Sequence, residues 1–163
     1  MPFRKDAMEG FEKIFFHLEE DHWSGAGSES LWGTRVHGDA DLYQIENSPF
    51  FMYDVSYLDV VSVKKTGGGK LVFDAVIDRG GHSTYVLVME PEDVRFSKYW
   101  QRLEALGCSY EHVRCHINQK ECDLYAVDVP ATADLNEIYK IFVEGEDCDV
   151  WVFEQNHLGH QVT

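Results

Sequence analysis

Basic side chains are scarce in this chain. Its 163 residues carry 14 Lys and Arg against 29 Asp and Glu, a formal charge of −15 at pH 7. Nucleic-acid affinity comes largely from Lys and Arg displacing phosphate counterions, so the deficit argues against a role on nucleic acid. It argues equally against a polybasic membrane anchor. Long apolar runs are missing too: none approaches the roughly 20 residues a helix needs to cross a bilayer. The start, Met1-Pro2-Phe3-Arg4-Lys5-Asp6, has bases but no unbroken apolar stretch behind them, so no signal peptide is read. Cysteine is limited to Cys108, Cys115, Cys122 and Cys148. No pair has the short separation of a tetrahedral zinc site, so neither metal nor cofactor is expected. Without an export signal, four reduced thiols in a cytoplasmic protein are the expectation.

What is present is a globular composition, 44% apolar and 26% charged. The length fits one large domain or two small ones sharing a core. Residues 1–10 read as a polar lead-in. Lys13 to Glu19 carries both a helical and an alternating stripe, and its Phe and Ile favour a strand. From Ser30 to Ile77 the pattern is short strands punctuated by turns, which with Lys13 to Glu19 makes five, with no helix between them. Asn47-Ser48-Pro49 breaks that series, and Phe50-Phe51 behind it read as core plugs. Such a pattern predicts a small antiparallel β-barrel or roll over residues 1–81.

Residues 82–163 read differently. A strand over Ser83 to Met89 is followed by a helix over Phe96 to Leu106. Strands over Tyr110 to Ile117 and Leu124 to Val129 flank the connection Asn118-Gln119-Lys120-Glu121. Asp134 and Glu137 resemble a capping box, opening a helix that Gly145 ends, and Val150 to Phe153 closes the series. The order β-α-β-β-α-β is the split pattern of ferredoxin-like folds. The predicted class is therefore α+β. Leu124 and Ala126 alternate with Tyr125 and Val127, and Val150 and Val152 with Trp151 and Phe153. Both sheet faces are thus apolar, and the second is expected to share a core with the first module.

Several local strings are familiar together: Glu29-Ser30-Leu31-Trp32; Asn47-Ser48-Pro49-Phe50-Phe51 with Tyr53, Ser56, Asp59 and Val60; Gly81-His82-Ser83-Thr84; and Val150-Trp151-Val152-Phe153-Glu154. Their order resembles the bacterial family called domain of unknown function 4265, over roughly Lys13 to Glu154. The resemblance implies a small bacterial cytosolic protein. It brings no activity and no catalytic residue.

Asp78-Arg79-Gly80-Gly81-His82-Ser83-Thr84 is the most site-like string. Its glycine turn could offer backbone N–H groups to an anion beside Arg79 and His82, with Ser83 as nucleophile. As plain structure it is a connection between two strands. His112, Arg114 and His116 share a strand face opposite Val113, Cys115 and Ile117. They read as the solvent side of an edge strand, and Cys115 as a small core hydrophobe. Glu154, His157 and His160 have metal-ligand spacing but sit in a tail where disorder is the default. The remaining signal is charge. From Ser83 onward there are 15 acids against 6 bases, and Glu144, Glu146, Asp147 and Asp149 crowd the end of the second helix.

Two functions follow as expectations. One is a non-enzymatic acidic interaction protein, an immunity or antitoxin-type inhibitor that neutralises a bacterial toxin encoded nearby. Its basic partner would meet Glu144, Glu146, Asp147 and Asp149. The other is a small-ligand-binding protein or enzyme using the cleft between the modules, lined by Arg79, His82 and Ser83. An apolar pocket with convergent polar groups would favour the second reading, and a filled junction the first. The packing scheme itself is testable: Trp151→Ala should lower unfolding stability by about 3–5 kcal/mol in urea titration, and an unchanged midpoint would refute a buried Trp151.

Overall fold

Turns and alternating side chains build the first sheet from β1 (Phe11–His17), β2 (Ser28–Arg35), β3 (Leu42–Ile45), β4 (Val60–Lys65) and β5 (Leu71–Asp78). The computed structural model describes residues 10–39 and 41–161. Most of the polar lead-in therefore lies outside the described residues. Ile14 and Phe16 point inward and Phe15 does not, the two-residue period of a strand. Successive strands pair antiparallel, in sequence order. Because their number is odd, the first and last run the same way, and the sheet can close on itself only through a parallel contact. That seam is short: Ile14↔Leu71 and Phe15↔Val72, against seven register pairs between β1 and β2. The result is a loosely closed roll rather than a clean barrel, and not antiparallel throughout.

The second sheet comes from β6 (Ser83–Met89), α1 (Phe96–Ala105), β7 (Ser109–Ile117), β8 (Lys120–Val129), α2 (Leu135–Asp147) and β9 (Val152–His157). Its strand order is β7-β8-β6-β9, antiparallel throughout. The chain as a whole is α+β, mostly β with two helices. β8 starts earlier than its apolar run suggests. Asn118 and Gln119 both have positive φ, so they alone form the tight turn, and Lys120 already pairs with Ile117. The Asp134 carboxylate does accept from the Glu137 amide at the start of α2. Gly145 does not end that helix, which continues to Asp147. Its role is space: a Cβ there would lie 2.3 Å from the Trp151 ring. Trp151 is 3% exposed and donates its indole N–H to the Phe142 carbonyl at 2.9 Å.

Buried apolar side chains form two clusters, one per module. The second joins Tyr85, Leu87, Tyr125 and Val127 to Leu103 of α1 and Phe142 of α2. The other joins the roll strands to Val55 of the loop that follows β3. Val86, Leu124 and Ala126 on the second sheet's opposite face belong to neither cluster but are fully buried, and a loop crossing that face brings polar contacts to it. The segment from Asn47 to Ser56 lies over the sheet face opposite the helices, with Ser56 Oγ bonded to Thr84 Oγ1 and the Asp54 amide to the Asn156 carbonyl. Phe50 and Phe51 on this loop are half-buried rather than core plugs.

β7 is an edge strand, and His112, Arg114 and His116 are exposed on it as expected. That face is on the helix side, where the His112 ring stacks on Tyr125 at 4.7 Å. It is not free of partners: the buried Asp123 carboxylate accepts from Arg114 Nε at 2.8 Å and lies 2.9 Å from His112 Nε2. Val113 on the opposite side is 37% exposed, and Cys115 is half-buried rather than core. Gly145→Ala tests the α2 contact with an outcome opposite to helix propensity. Alanine should favour a helix by about 1 kcal/mol, yet overpacking against Trp151 should make the variant less stable by about 1–3 kcal/mol in urea unfolding.

Candidate functional site

The glycine turn at Gly80 does bind an anion, and the anion belongs to the chain. Asp59 is fully buried and accepts from the Gly80 amide at 2.9 Å, the Ser56 amide at 2.9 Å and Arg79 Nη1 at 2.9 Å. The same Arg79 nitrogen donates to the Asp54 carbonyl at 2.6 Å. Glu29 plays the matching role upstream. Its buried carboxylate takes the amides of Phe50, Phe51 and Met52 at 2.7, 3.1 and 2.9 Å. Burial still pushes the Glu29 carboxyl above the ordinary carboxylate range, against those three donors.

Ser83 meets a histidine, though not as a nucleophile. His160 Nδ1 lies 2.6 Å from Ser83 Oγ, and His160 Nε2 lies 2.9 Å from the Pro130 carbonyl. A carbonyl only accepts, so Nε2 carries the proton and Ser83 donates to Nδ1. The amides of Gly159 and His160 donate in turn to Ser83 Oγ at 2.9 and 3.3 Å. With both lone pairs engaged and no exposed surface, the hydroxyl has neither a free pair nor an approach for substrate. The tail is thereby tied down at Gly159 and His160. A Cβ on Gly159 would sit 2.2 Å from the His82 carbonyl oxygen, so only glycine permits that approach. His82 itself bonds Asp128 at 2.8 Å and meets the Tyr57 ring edge-on.

Arg79, His82 and Ser83 are therefore near one another, but each is engaged by a partner within the chain. A cleft of about 160 Å³ at this junction is lined by none of the three. Its walls include Glu46, Tyr57, Tyr110, Glu111 and Asp128, so it is polar and acidic rather than apolar. Burial raises the Asp128 carboxyl above its ordinary range despite His82. Burial, then the carboxylates of Glu46 and Asp128, raise the Tyr57 phenol. Burial pushes the Cys108 thiol up to about 12 and also raises Cys115, which makes these two poor nucleophiles. Among the described residues no group of three or more His, Cys, Asp or Glu is placed to hold a metal ion. Glu154 instead accepts from the Tyr53 hydroxyl at 2.6 Å.

The acidic end of α2 presents a different chemistry. Glu144 pairs with Arg102 at 2.8 Å, which holds its carboxyl below the usual range. Glu146, Asp147 and Asp149 are exposed, and the last turn of α2 contains no base, although a helix C-terminus favours cations. Arg95 is close by but serves the backbone there, donating to the Cys148 and Asp149 carbonyls at 2.9 and 3.1 Å. Glu146 and Asp149 border a groove of about 330 Å³. The charge run was legible in the sequence. Its division into one paired and three unpaired acids was not. Glu29 and Asp59 were missed as functional anchors, though a carboxylate set among strand residues, as in Asp59-Val60-Val61, was an available signal.

A family model described as a domain of unknown function (DUF4265) matches residues 29–153. No curated protein matches. Among solved structures, the crystal structure of a hypothetical protein from Neisseria gonorrhoeae is similar, with a TM-score of 0.69 and 16% identity. The similarity covers 94% of this chain and 98% of that one, which establishes a common fold. No helix among the described residues is long and apolar enough to cross a membrane.

The pH response of Asp128 follows from its burial. An acid whose pKa is raised on folding contributes stability that is present below its unfolded value, about 3.8, and lost as pH rises through the folded value. Asp128→Asn removes that loss. The stability of the variant relative to wild type should therefore increase as pH rises from about 4 through the raised folded value of Asp128. Denaturant midpoints at several pH values check this, and a flat difference would contradict it.

Proposed function

The chain belongs to the DUF4265 family, and we propose for it a non-enzymatic role as an acidic interaction protein that binds a basic protein partner. The form we favour is an immunity or antitoxin-type inhibitor acting in the cytoplasm on a toxin encoded nearby. The single observation that carries the reading is the unbalanced end of α2, where Glu146, Asp147 and Asp149 are exposed and the last turn offers no base. Carboxylates so placed suit a partner whose Lys and Arg are built for phosphate. Their summed field accelerates encounter more than any single pair strengthens the complex. The filled junction at Arg79, His82 and Ser83 counts against the alternative of a ligand or reaction between the modules.

We read the second module as ferredoxin-like, on its β-α-β-β-α-β order and its β7-β8-β6-β9 sheet. That fold hosts many unrelated functions and does not choose among them. Reversing Glu146, Asp147 and Asp149 to Lys, with Glu144 left on Arg102, tests the docking face. The association rate with the neighbouring gene's product should fall by at least about tenfold at low salt and lose its salt dependence. An unchanged rate in a folded variant would exclude this face.

A further inference from the structure

The loop from Asn47 to Ser56 covers only part of the second sheet's outer face. Cross-strand register sets Glu111, Ala126, Val86 and Glu154 in one row across all four strands. The loop reaches this row at both edges, Asn47 Nδ2 donating to Glu111 at 3.3 Å and the Tyr53 hydroxyl to Glu154 at 2.6 Å. The next row is Val113, Leu124, Val88 and Val152, apolar from edge to edge. Its outer members are open to solvent, Val113 by 37% and Val152 by 58%, while Leu124 between them is fully buried. Leu124 is covered, so the open patch of this row is its Val88–Val152 end, beside the β9 edge.

The patch is continuous with the groove of about 330 Å³, whose floor includes Val88, Cys122, Trp151 and Val152 and whose rim includes Glu90, Glu146 and Asp149. Lys120 is the base at that rim, and it is already paired with Glu90. β9 is an edge strand, so the row is approachable from its side.

From this we infer that the Val88–Val152 end of the row is the seat of a short aliphatic segment of the partner, flanked by Lys or Arg that meet Glu146 and Asp149. The inference rests on the proposed reading that a basic protein docks at the acidic end of α2. Charge selects this occupant. A second copy would bring two acidic rims together on molecules that each carry −15. A neutral apolar segment would desolvate Glu146 and Asp149 without pairing them. An aliphatic centre with basic flanks satisfies both the floor and the rim.

The test uses two synthetic peptides: one with an aliphatic centre between flanking lysines, and a control with the same lysines around a serine centre. Binding to the full chain is followed by backbone amide shifts in NMR and by titration at low and moderate salt. The aliphatic peptide should bind at least about tenfold tighter than the control and shift Val88 and Val152. Val152→Lys, and the milder near-isosteric Val152→Thr, should reduce or abolish that advantage at an unchanged melting temperature. Val94→Lys, at a residue 90% exposed and outside the row, should not. Equal binding of the two peptides, with shifts confined to Glu146 and Asp149, would overturn the row while leaving a charge-only docking face intact. Failure of both peptides would also overturn it. Tight, row-centred binding of the aliphatic peptide would uphold the row even if the neighbouring gene's product did not bind, in which case only the inhibitor reading falls.

Discussion

Two buried carboxylates hold this structure together at its most irregular point. The stretch between β3 and β4 has no strand ladder, so its amides need acceptors from elsewhere. Glu29 supplies them to Phe50, Phe51 and Met52, and Asp59 to Ser56 and Gly80. The bonds to Glu29 offset part of the cost of burying its carboxyl, which burial still raises above the ordinary range. Once fixed, the loop becomes the cover of the second sheet's outer face, and Arg79 on Asp59 sets where that sheet begins. The strings Glu29-Trp32, Asn47-Phe51 and Gly80-Gly81 are thus parts of one device, although they lie far apart in the chain.

That device also explains the surface. Bases are few, and several are occupied by buried acids: Arg79 by Asp59, Arg114 and His112 by Asp123. Asp123 is held well below the usual carboxylate range, chiefly by Arg114. Neutralising the interior in this way leaves the exposed acids around α2 and β9 short of counterions. Surface polarity here is a consequence of how the core was balanced.

Much of the fold was legible because it is written in local periodicity. The alternation of Ile14 and Phe16, the seven residues of β6 and the Asp134 cap are all set by near neighbours. The misreadings came from contacts between elements. Gly145 looks like a helix stop until Trp151 is seen to fill the space beside it. The polar face of β7 is solvent-facing as it looks, but its sequence does not show that His112 and Arg114 meet Asp123 of the neighbouring strand. Ser83 looks like a free hydroxyl until the tail brings His160 to it. The acidic end of α2 was visible as composition, but only geometry separates Glu144, which has Arg102, from its three neighbours.

β6 is the central strand of its sheet, flanked by β8 and β9, and both partners come later in the chain. Its sequence, Ser-Thr-Tyr-Val-Leu-Val-Met, has no charge, no proline and no glycine. An uncharged, β-favouring segment of this length is also what cross-β assembly selects. During synthesis or refolding it must remain unpaired until β8, which begins at Lys120, has emerged. The strand that is safest in the folded protein is therefore the most aggregation-prone before folding. The acidic flanks of the chain act as its solubilising guard in that interval.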